Sequence, residues 1–477
     1  MNNFNSEDLL KVLGLTGLSG EIDDDLVVNY GGESDKYVFI EVEKKYEVYY
    51  CPNCNSRMYS KGPIVRKVRH PILYNGKIIL IKLKQKKLRC TNKACNLYIN
   101  EEFSFVDKYK HITTAVPYLI LNDLKDVVLT CAAVSRKYQV SDTYVHNIMM
   151  TYVDFKALPL SEVISIDEVY LNIDYDERYV VIISDFVTGD IIEVLPNRYD
   201  ETVRRFFTSY SKEERLKVRY VVSDAYEPYL EIPKKYLFNA RSVIDSFHIV
   251  QIIEKSIRSY INEVKKRYQK KLNEERKASN IQNNKSYKSR KDSVELVLLK
   301  KHSWVLLSKP GNEPDIDSRH FSRSLGIYPT VERIKKMFME LDPYFPVLKE
   351  LKDKYLDFND EYVGKSEEAP EALKELINEY RQSRYKIFKD FGDVLDKRFN
   401  EIVLSFTTIK VKFGAEEFYR RLSNGPMEGF NRKPKDMKRL ARGFSNFNYV
   451  RNRILWASRK DAAILAVPKH LGETEKK

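Results

Sequence analysis

A multidomain α+β fold is what this sequence predicts, on three grounds. Its 477 residues exceed what one core usually organises. Four of its five cysteines fall in two close pairs within a β-rich stretch, as in a metal-bound module rather than a disulfide scaffold. Between residues 160 and 250 apolar strand-like runs alternate with helical ones, and a long helical stretch follows. The segments divide at 1–45, 46–108, 112–156, 160–250, 251–420, 421–460 and 461–477.

Residues 1–45 carry little beyond a short helical pattern at Leu9, Leu10, Val12 and Leu13. The opening residues lack the basic and apolar regions of a leader peptide. Segment 46–108 is β-rich: Tyr46, Val48, Tyr50 and then Ile78 to Leu83 sit in strand-like runs, the later ones interleaved with lysines. Cys51-Pro52-Asn53-Cys54 and Cys90-Thr91-Asn92-Lys93-Ala94-Cys95 are thiolate pairs on tight turns, the pattern that aims four sulfurs at one Zn2+. One structural zinc held by Cys51, Cys54, Cys90 and Cys95 is therefore expected. Lys61, Arg66, Lys67, Arg69, Lys82, Lys84, Lys86, Lys87 and Arg89 lie between the pairs and favour a phosphate-facing module. Cys131 sits in a helical context and reads as a small core residue.

Segment 112–156 turns helical. Residues 130–138 have the small apolar face of a first helix, Gln139-Val140-Ser141 a turn, and Asp142 onward a second helix capped by Ser141 or Asp142. Val134, Val140, Val145 and Ile148 would form the shared core of a helix-turn-helix. Thr143, Tyr144, His146 and Asn147 would then face outward, toward base edges of DNA. A plain helical hairpin has the same pattern; adjacency to a basic metal module favours the DNA reading.

Strands are expected at 163–166, 179–184, 191–195, 218–223 and 242–244. Short polar turns at 174–177 and 188–190 make the first three an antiparallel meander, and helical segments near 202–210 and 227–229 separate the others. Three antiparallel strands followed by crossovers is the RNase H-like pattern, an analogy at the level of fold. Asp167 and Asp224 each follow an apolar run, and Glu428 stands where a helix should begin, just after Pro426. Carboxylates on two strand ends and one helix can converge, and such a set suits hard ions such as Mg2+ or Mn2+. Two ions held close together are the apparatus for in-line attack on a phosphodiester. Glu168 alternates with Asp167 and should face the other side of the sheet. Asp245 and His248 are possible supporting residues around the ligands. From 251 to 420 the pattern is helical and rich in Lys, Glu and Tyr, with a polar stretch at 277–291. Arg432 and Lys435, four and seven residues beyond Glu428, share its helical face and could clamp phosphates, unless Pro434 bends the helix away.

Formal net charge is +14, spread along the chain, which points to a polyanionic partner once these modules are counted. No run approaches the ~18 apolar residues needed to span a bilayer. A bacterial cytoplasmic protein, associated with the nucleoid when DNA-bound, is the expectation, with no membrane contact.

The order of cysteine-pair module, helix-turn-helix and Ile166-Asp167-Glu168 resembles the ISL-three family of bacterial insertion-sequence transposases. So do Ser223-Asp224-Ala225-Tyr226, Val243-Ile244-Asp245-Ser246-Phe247-His248, Ser423-Asn424-Gly425-Pro426-Met427-Glu428-Gly429-Phe430-Asn431 and Arg439 to Phe447 with Arg451 to Ile454. The resemblance covers residues from about 48 to 457. It implies an RNase H-like catalytic domain with a helical insertion, and a triad of Asp167, Asp224 and Glu428 binding two divalent ions. It implies a DNA transposase that recognises terminal inverted repeats, cuts the strand and joins it to target DNA, with a homodimer or higher oligomer pairing the two ends. The alternatives are a sequence-specific DNA-binding regulator with an inactive RNase H-like domain, and an RNase H-like structure-selective nuclease.

Overall fold

The computed structural model describes residues 23, 25–45, 47–74, 77–173, 178–283, 292–316, 318–413, 416–460 and 462–465. The helical pattern at Leu9–Leu13, the turn at 174–177, the end of the polar stretch (284–291) and nearly all of the tail lie outside them.

Strands β1 (Leu26–Glu33), β2 (Tyr37–Lys44), β3 (Met58–Tyr74), β4 (Lys77–Cys90) and β5 (Tyr98–Asn100) form one sheet in the order β1-β2-β4-β3, with β5 also on β4. The sheet thus runs across residue 45, and 26–44 is strand where the sequence reading saw little. Val28, Ile40 and Val42 explain this: they pack with Ile79, Ile81, Leu83 and Phe105 into one core. Period-two alternation on β4 turns those apolar residues inward and Lys82 and Lys84 outward, where both lysines pair with Glu41 of β2.

Helices α1 (Ala115–Asp123), α2 (Cys131–Tyr138) and α3 (Asp142–Tyr152) follow. Thr130 and Ser141 cap α2 and α3 by accepting from the N–H groups of Ala133 and Tyr144. Gln139 ends α2 in the left-handed conformation, φ 50°, which turns the chain sharply between the two. Val134, Val145 and Ile148 form their shared core, and Tyr449 and Trp456 from the far end of the chain complete it.

The short β6 (Val153–Asp154) leads to β7 (Val163–Tyr170), β8 (Tyr179–Asp185), β9 (Ile191–Leu195), β10 (Tyr220–Ser223) and β11 (Arg241–Ile244). β7, β8 and β9 are antiparallel, whereas β10 runs parallel to both β7 and β11, in the order β11-β10-β7-β8-β9. Between β9 and β11 lie α4 (Asp200–Thr208), α5 (Lys212–Arg215), α6 (Glu227–Leu230) and α7 (Ile232–Tyr236). Ile164, Ile166, Val181 and Ile183 pack with Phe207, Tyr229 and Ile232 on one face of the sheet. Val169, Val180 and Ile182 pack on the other, beneath residues from the C-terminal helices.

The helical stretch comprises α8 (Ser246–Asn283), α9 (Val294–Lys301), α10 (Trp304–Leu307), α11 (Val331–Met339), α12 (Phe345–Glu361), α13 (Ala369–Gln382), α14 (Lys386–Lys397) and α15 (Phe399–Leu404) around a separate apolar core. Its last part departs from the helical expectation: β12 (Thr408–Phe413) and β13 (Glu416–Arg421) pair antiparallel. Thr408, Ile409, Val411 and Phe413 are β-branched or aromatic, and that composition favours strand over helix. The chain closes with α16 (Gly425–Ala441), α17 (Phe447–Ser458) and β14 (Ala463–Ile464), which pairs with β6. α16 continues through Pro434 as one helix.

Candidate catalytic centre and metal site

Strand register brings the acidic residues together. Val222 of β10 is level with Ser165 of β7, and Ser223 is level with Ile244 of β11. Two residues further along β7 and one beyond the other strands stand Asp167, Asp224 and Asp245, in one row across three parallel neighbours. The Asp245 N–H continues the ladder by donating to the Ser223 carbonyl at 3.0 Å. Side chains level on adjacent strands share a face. Asp167 belongs to the face covered by the C-terminal helices, while Glu168 lies on the opposite one, accepting from Tyr229 at 2.8 Å and pairing with Arg198. Glu168 is thereby engaged away from the aspartate row, as its alternation required.

Helix α16 is pinned to this row at two points. Asn424, just before its first turn, donates through Nδ2 to the Ile166 carbonyl at 3.1 Å. Asn431, two turns on, donates through Nδ2 to Oδ2 of Asp167 at 2.5 Å. Both amides are nearly fully buried, and the Oδ1 of each has no hydrogen-bond partner among the described residues. Met427 packs beneath, against Ser184. Glu428 sits in the first turn of the same helix; its side chain lies outside those described. Sequence reasoning missed both asparagines as site residues. Their positions inside the Ser423 to Asn431 motif, four residues before Glu428 and three after it, were the available signal.

The electrostatics fit a cation. Burial pushes the Asp167 carboxyl up to about 6, and repulsion from Asp224 adds to that; the Glu168 N–H, His248 and Lys435 pull the other way. Asp245 is also raised, again by burial first, against His248 and the N–H groups of Phe247 and Asn424. His248 therefore lies within electrostatic reach of two of the three aspartates. Lys435 is exposed yet close enough to act on Asp167; Arg432 is exposed on the same helix. A row of carboxylates whose ionisation is penalised by burial and mutual repulsion is stabilised by a divalent ion.

In the N-terminal sheet Cys51, Cys54, Cys90 and Cys95 bring their sulfurs within 4.8 Å of one another. Cys51 and Cys95 are 3.7 Å apart and Cys54 and Cys90 3.5 Å. Zn–S bonds of about 2.3 Å in a tetrahedron put sulfurs roughly 3.8 Å apart, so the four can hold zinc. Each knuckle ends on an asparagine in the left-handed region, Asn55 at φ 55° and Asn96 at φ 45°, so the second accommodates its two extra residues and still turns back like the first. The adjacent lysines are partly engaged, since Lys82 and Lys84 share Glu41.

On α3, Thr143 and Asn147 are exposed, but Tyr144 and His146 are not turned outward as expected. Tyr144 packs at the edge of the helical core, and His146 stacks on Tyr449 of α17 with ring centroids 4.5 Å apart. The docking of α17 accounts for His146, whereas Tyr144 lies within reach of Tyr152, Asp107 and Arg69. Cys131 lies in the same place, 2.7 Å from the Tyr449 hydroxyl.

A protein-family model described as transposase, that of the ISL3 group of DDE transposases, matches residues 164–454, from β7 through α17. No curated protein matches the chain. Among the described residues, no helix is long and apolar enough to cross a membrane.

Proposed function

The chain belongs to the ISL3 family of DDE transposases, and from that membership and the aspartate row we propose that it cuts the terminal inverted repeats of its own element and joins them to target DNA. The observation that carries this reading is the alignment of Asp167 with Asp224 on neighbouring parallel strands, with α16 fastened to Asp167 through Asn431. The strand order, with a central first strand flanked by the antiparallel pair and the two parallel strands, supports the RNase H-like assignment.

Asp167, Asp224 and Glu428 would hold Mg2+ or Mn2+, two ions per site. Bound there, the ions supply an activated water or 3′-hydroxyl and neutralise charge on the leaving oxygen. The protein's own part is positional. Asn431 fixes one Asp167 oxygen, the Glu168 N–H holds the other at 2.7 Å, and Asn424 anchors the start of α16 to the sheet. Carboxylates held on a strand and a helix keep their geometry better than loop residues would. Lys435 lies where its charge can draw the flanking phosphate toward the row. Asp245 and His248 would support the ligands from beside them, without coordinating the ions.

The zinc module and the exposed side of α3 would deliver DNA, with Thr143 and Asn147 offered to base edges. Pairing two transposon ends requires at least two copies of the protein. Incubating the purified protein and Mg2+ with the DNA that flanks its gene, beside a scrambled duplex, tests the reading. Nicking confined to the flanking DNA is expected. Binding without nicking would indicate a regulator, and cutting set by DNA structure rather than sequence would indicate a nuclease.

A further inference from the structure

A cleft of about 860 Å³ opens where α2 and α3 meet the turn between α16 and α17. At the back of it Arg453 is 3% exposed. Its Nη2 donates to the carbonyls of Asp126 and Leu129, each at 2.8 Å, while Nη1 has no hydrogen-bond partner among the described residues. The Tyr449 hydroxyl lies beside this guanidinium and supports its charge, and a buried donor left unpaired is costly unless a further acceptor reaches it. Burial also works against its charge, which a bound anion would restore. Arg136 and Arg442 line the same cleft and are exposed, and neither has an ion-pair partner among the described residues. Asp142 is the one carboxylate in the lining, and it accepts a hydrogen bond from Ser135. Three guanidiniums against one engaged carboxylate suit a phosphodiester, whose oxygens match the guanidinium fork.

The position of the cleft matters as much as its charge. Asp142 and His146 of α3 form one wall, so the exposed Thr143 and Asn147 lie on the same helix beside it. Met437, Leu440 and Ala441 form the other wall, at the end of α16 opposite to Glu428. Thirteen residues of helix rise separate Glu428 from Ala441, a span of about 20 Å, which equals about six steps of axial rise, and fewer where α16 lies across the duplex axis.

We propose that this cleft binds one backbone phosphate of the duplex, received by Arg453 and flanked by Arg136 and Arg442, and that α16 sets its distance to the scissile phosphate. The proposal rests on the DNA-cutting reading above and adds a fixed register to it. α3 and α16 meet at the cleft, so the helix that faces the bases and the helix that carries Glu428 would grip the same strand.

Two measurements test it. In the first, single methylphosphonates are walked along the strand bound by the wild-type protein. A loss of at least tenfold in affinity at a position separate from the cut and within about six nucleotides of it is expected, and a flat profile over that range would overturn the proposal. In the second, the doubly substituted Arg136→Glu/Arg442→Glu protein is compared with wild type for binding to flanking and unrelated duplexes across salt concentrations. Affinity should fall on both, and the slope of log K against log salt should be shallower by about one, for the one phosphate held in the cleft. An unchanged slope would overturn the cleft as a phosphate site while leaving the DNA-cutting reading intact. Wild-type protein that binds no duplex would overturn both together, and competition by an acidic peptide alone would reassign the cleft to protein.

Discussion

Asp167 is a carboxylate kept where its charge is unwelcome. Its carboxyl is pushed up to about 6 from 3.8, by burial first and Asp224 second. Stability associated with the protonated form is present below about pH 4 and is lost as pH rises through about 6. The metal-free protein near pH 7 therefore carries a penalty of about 1–3 kcal/mol at this one residue. Asp167→Asn removes the charge, and the open Oδ1 of Asn431 can then accept from the new amide. Thermal melting of metal-free protein should rise by a few degrees near pH 7, with the gain vanishing near pH 4; a lower melting temperature near pH 7 would show that Asp167 is stabilising where it stands. Asn431 itself touches Asp167, the proposed ligand, through Nδ2. Asn431→Ala should lower kcat or divalent-ion affinity by about 10–100-fold, as for lost partners of metal ligands, with DNA affinity unchanged. Equal loss of DNA binding would make Asn431 a folding residue. Neither asparagine was read as a site residue despite its place in the Ser423 to Asn431 motif, because a buried amide looks in sequence like a turn or cap. The aspartates were legible because each ends an apolar run on a strand that could be read directly.

At the scale of elements, the strands from 163 to 244 could be read because β-branched runs bounded by polar turns have few other folds open to them. The hairpin at β12 and β13 was hidden at the end of a helical stretch, and β1 and β2 by their position before the first cysteine. His146 reads as outward-facing because its partner, Tyr449, is distant in sequence, and Tyr144 because Asp107 and Arg69 are; no local pattern predicts that α17 docks there. The cysteine knuckles were legible in full, since thiolate spacing alone brings four sulfurs together. Zinc at such a site contributes on the order of 10 kcal/mol to folding of a small module. Metal analysis of freshly purified protein should find zinc held by the four cysteines. Chelation should unfold the N-terminal sheet at a temperature where the β7–β11 sheet remains folded, followed by loss of DNA binding. Protein free of zinc yet fully folded at the N-terminus would contradict this.

For the whole molecule, one sheet and one helix connect the distant pieces. α16 and α17 cover the face of the sheet on which Asp167 lies, and α17 also completes the core of α1–α3. The core of α1–α3 and the sheet that carries the aspartate row thus share a packed boundary made by the last forty residues of the described chain. The family match spans β7 to α17 and leaves the N-terminal modules outside it. The role in finding DNA proposed for them rests on the cysteine cluster, the exposed residues of α3 and the basic charge. Asp167, Asp224 and Glu428 are proposed to form one metal-dependent cutting centre. The most direct test is single-turnover cleavage of the flanking DNA with Mg2+ by wild type and by Asp167→Ala, Asp224→Ala and Glu428→Ala, with binding measured in parallel. Loss of cleavage in all three variants with binding kept is the predicted result, and cleavage near the wild-type rate in any one of them would contradict it.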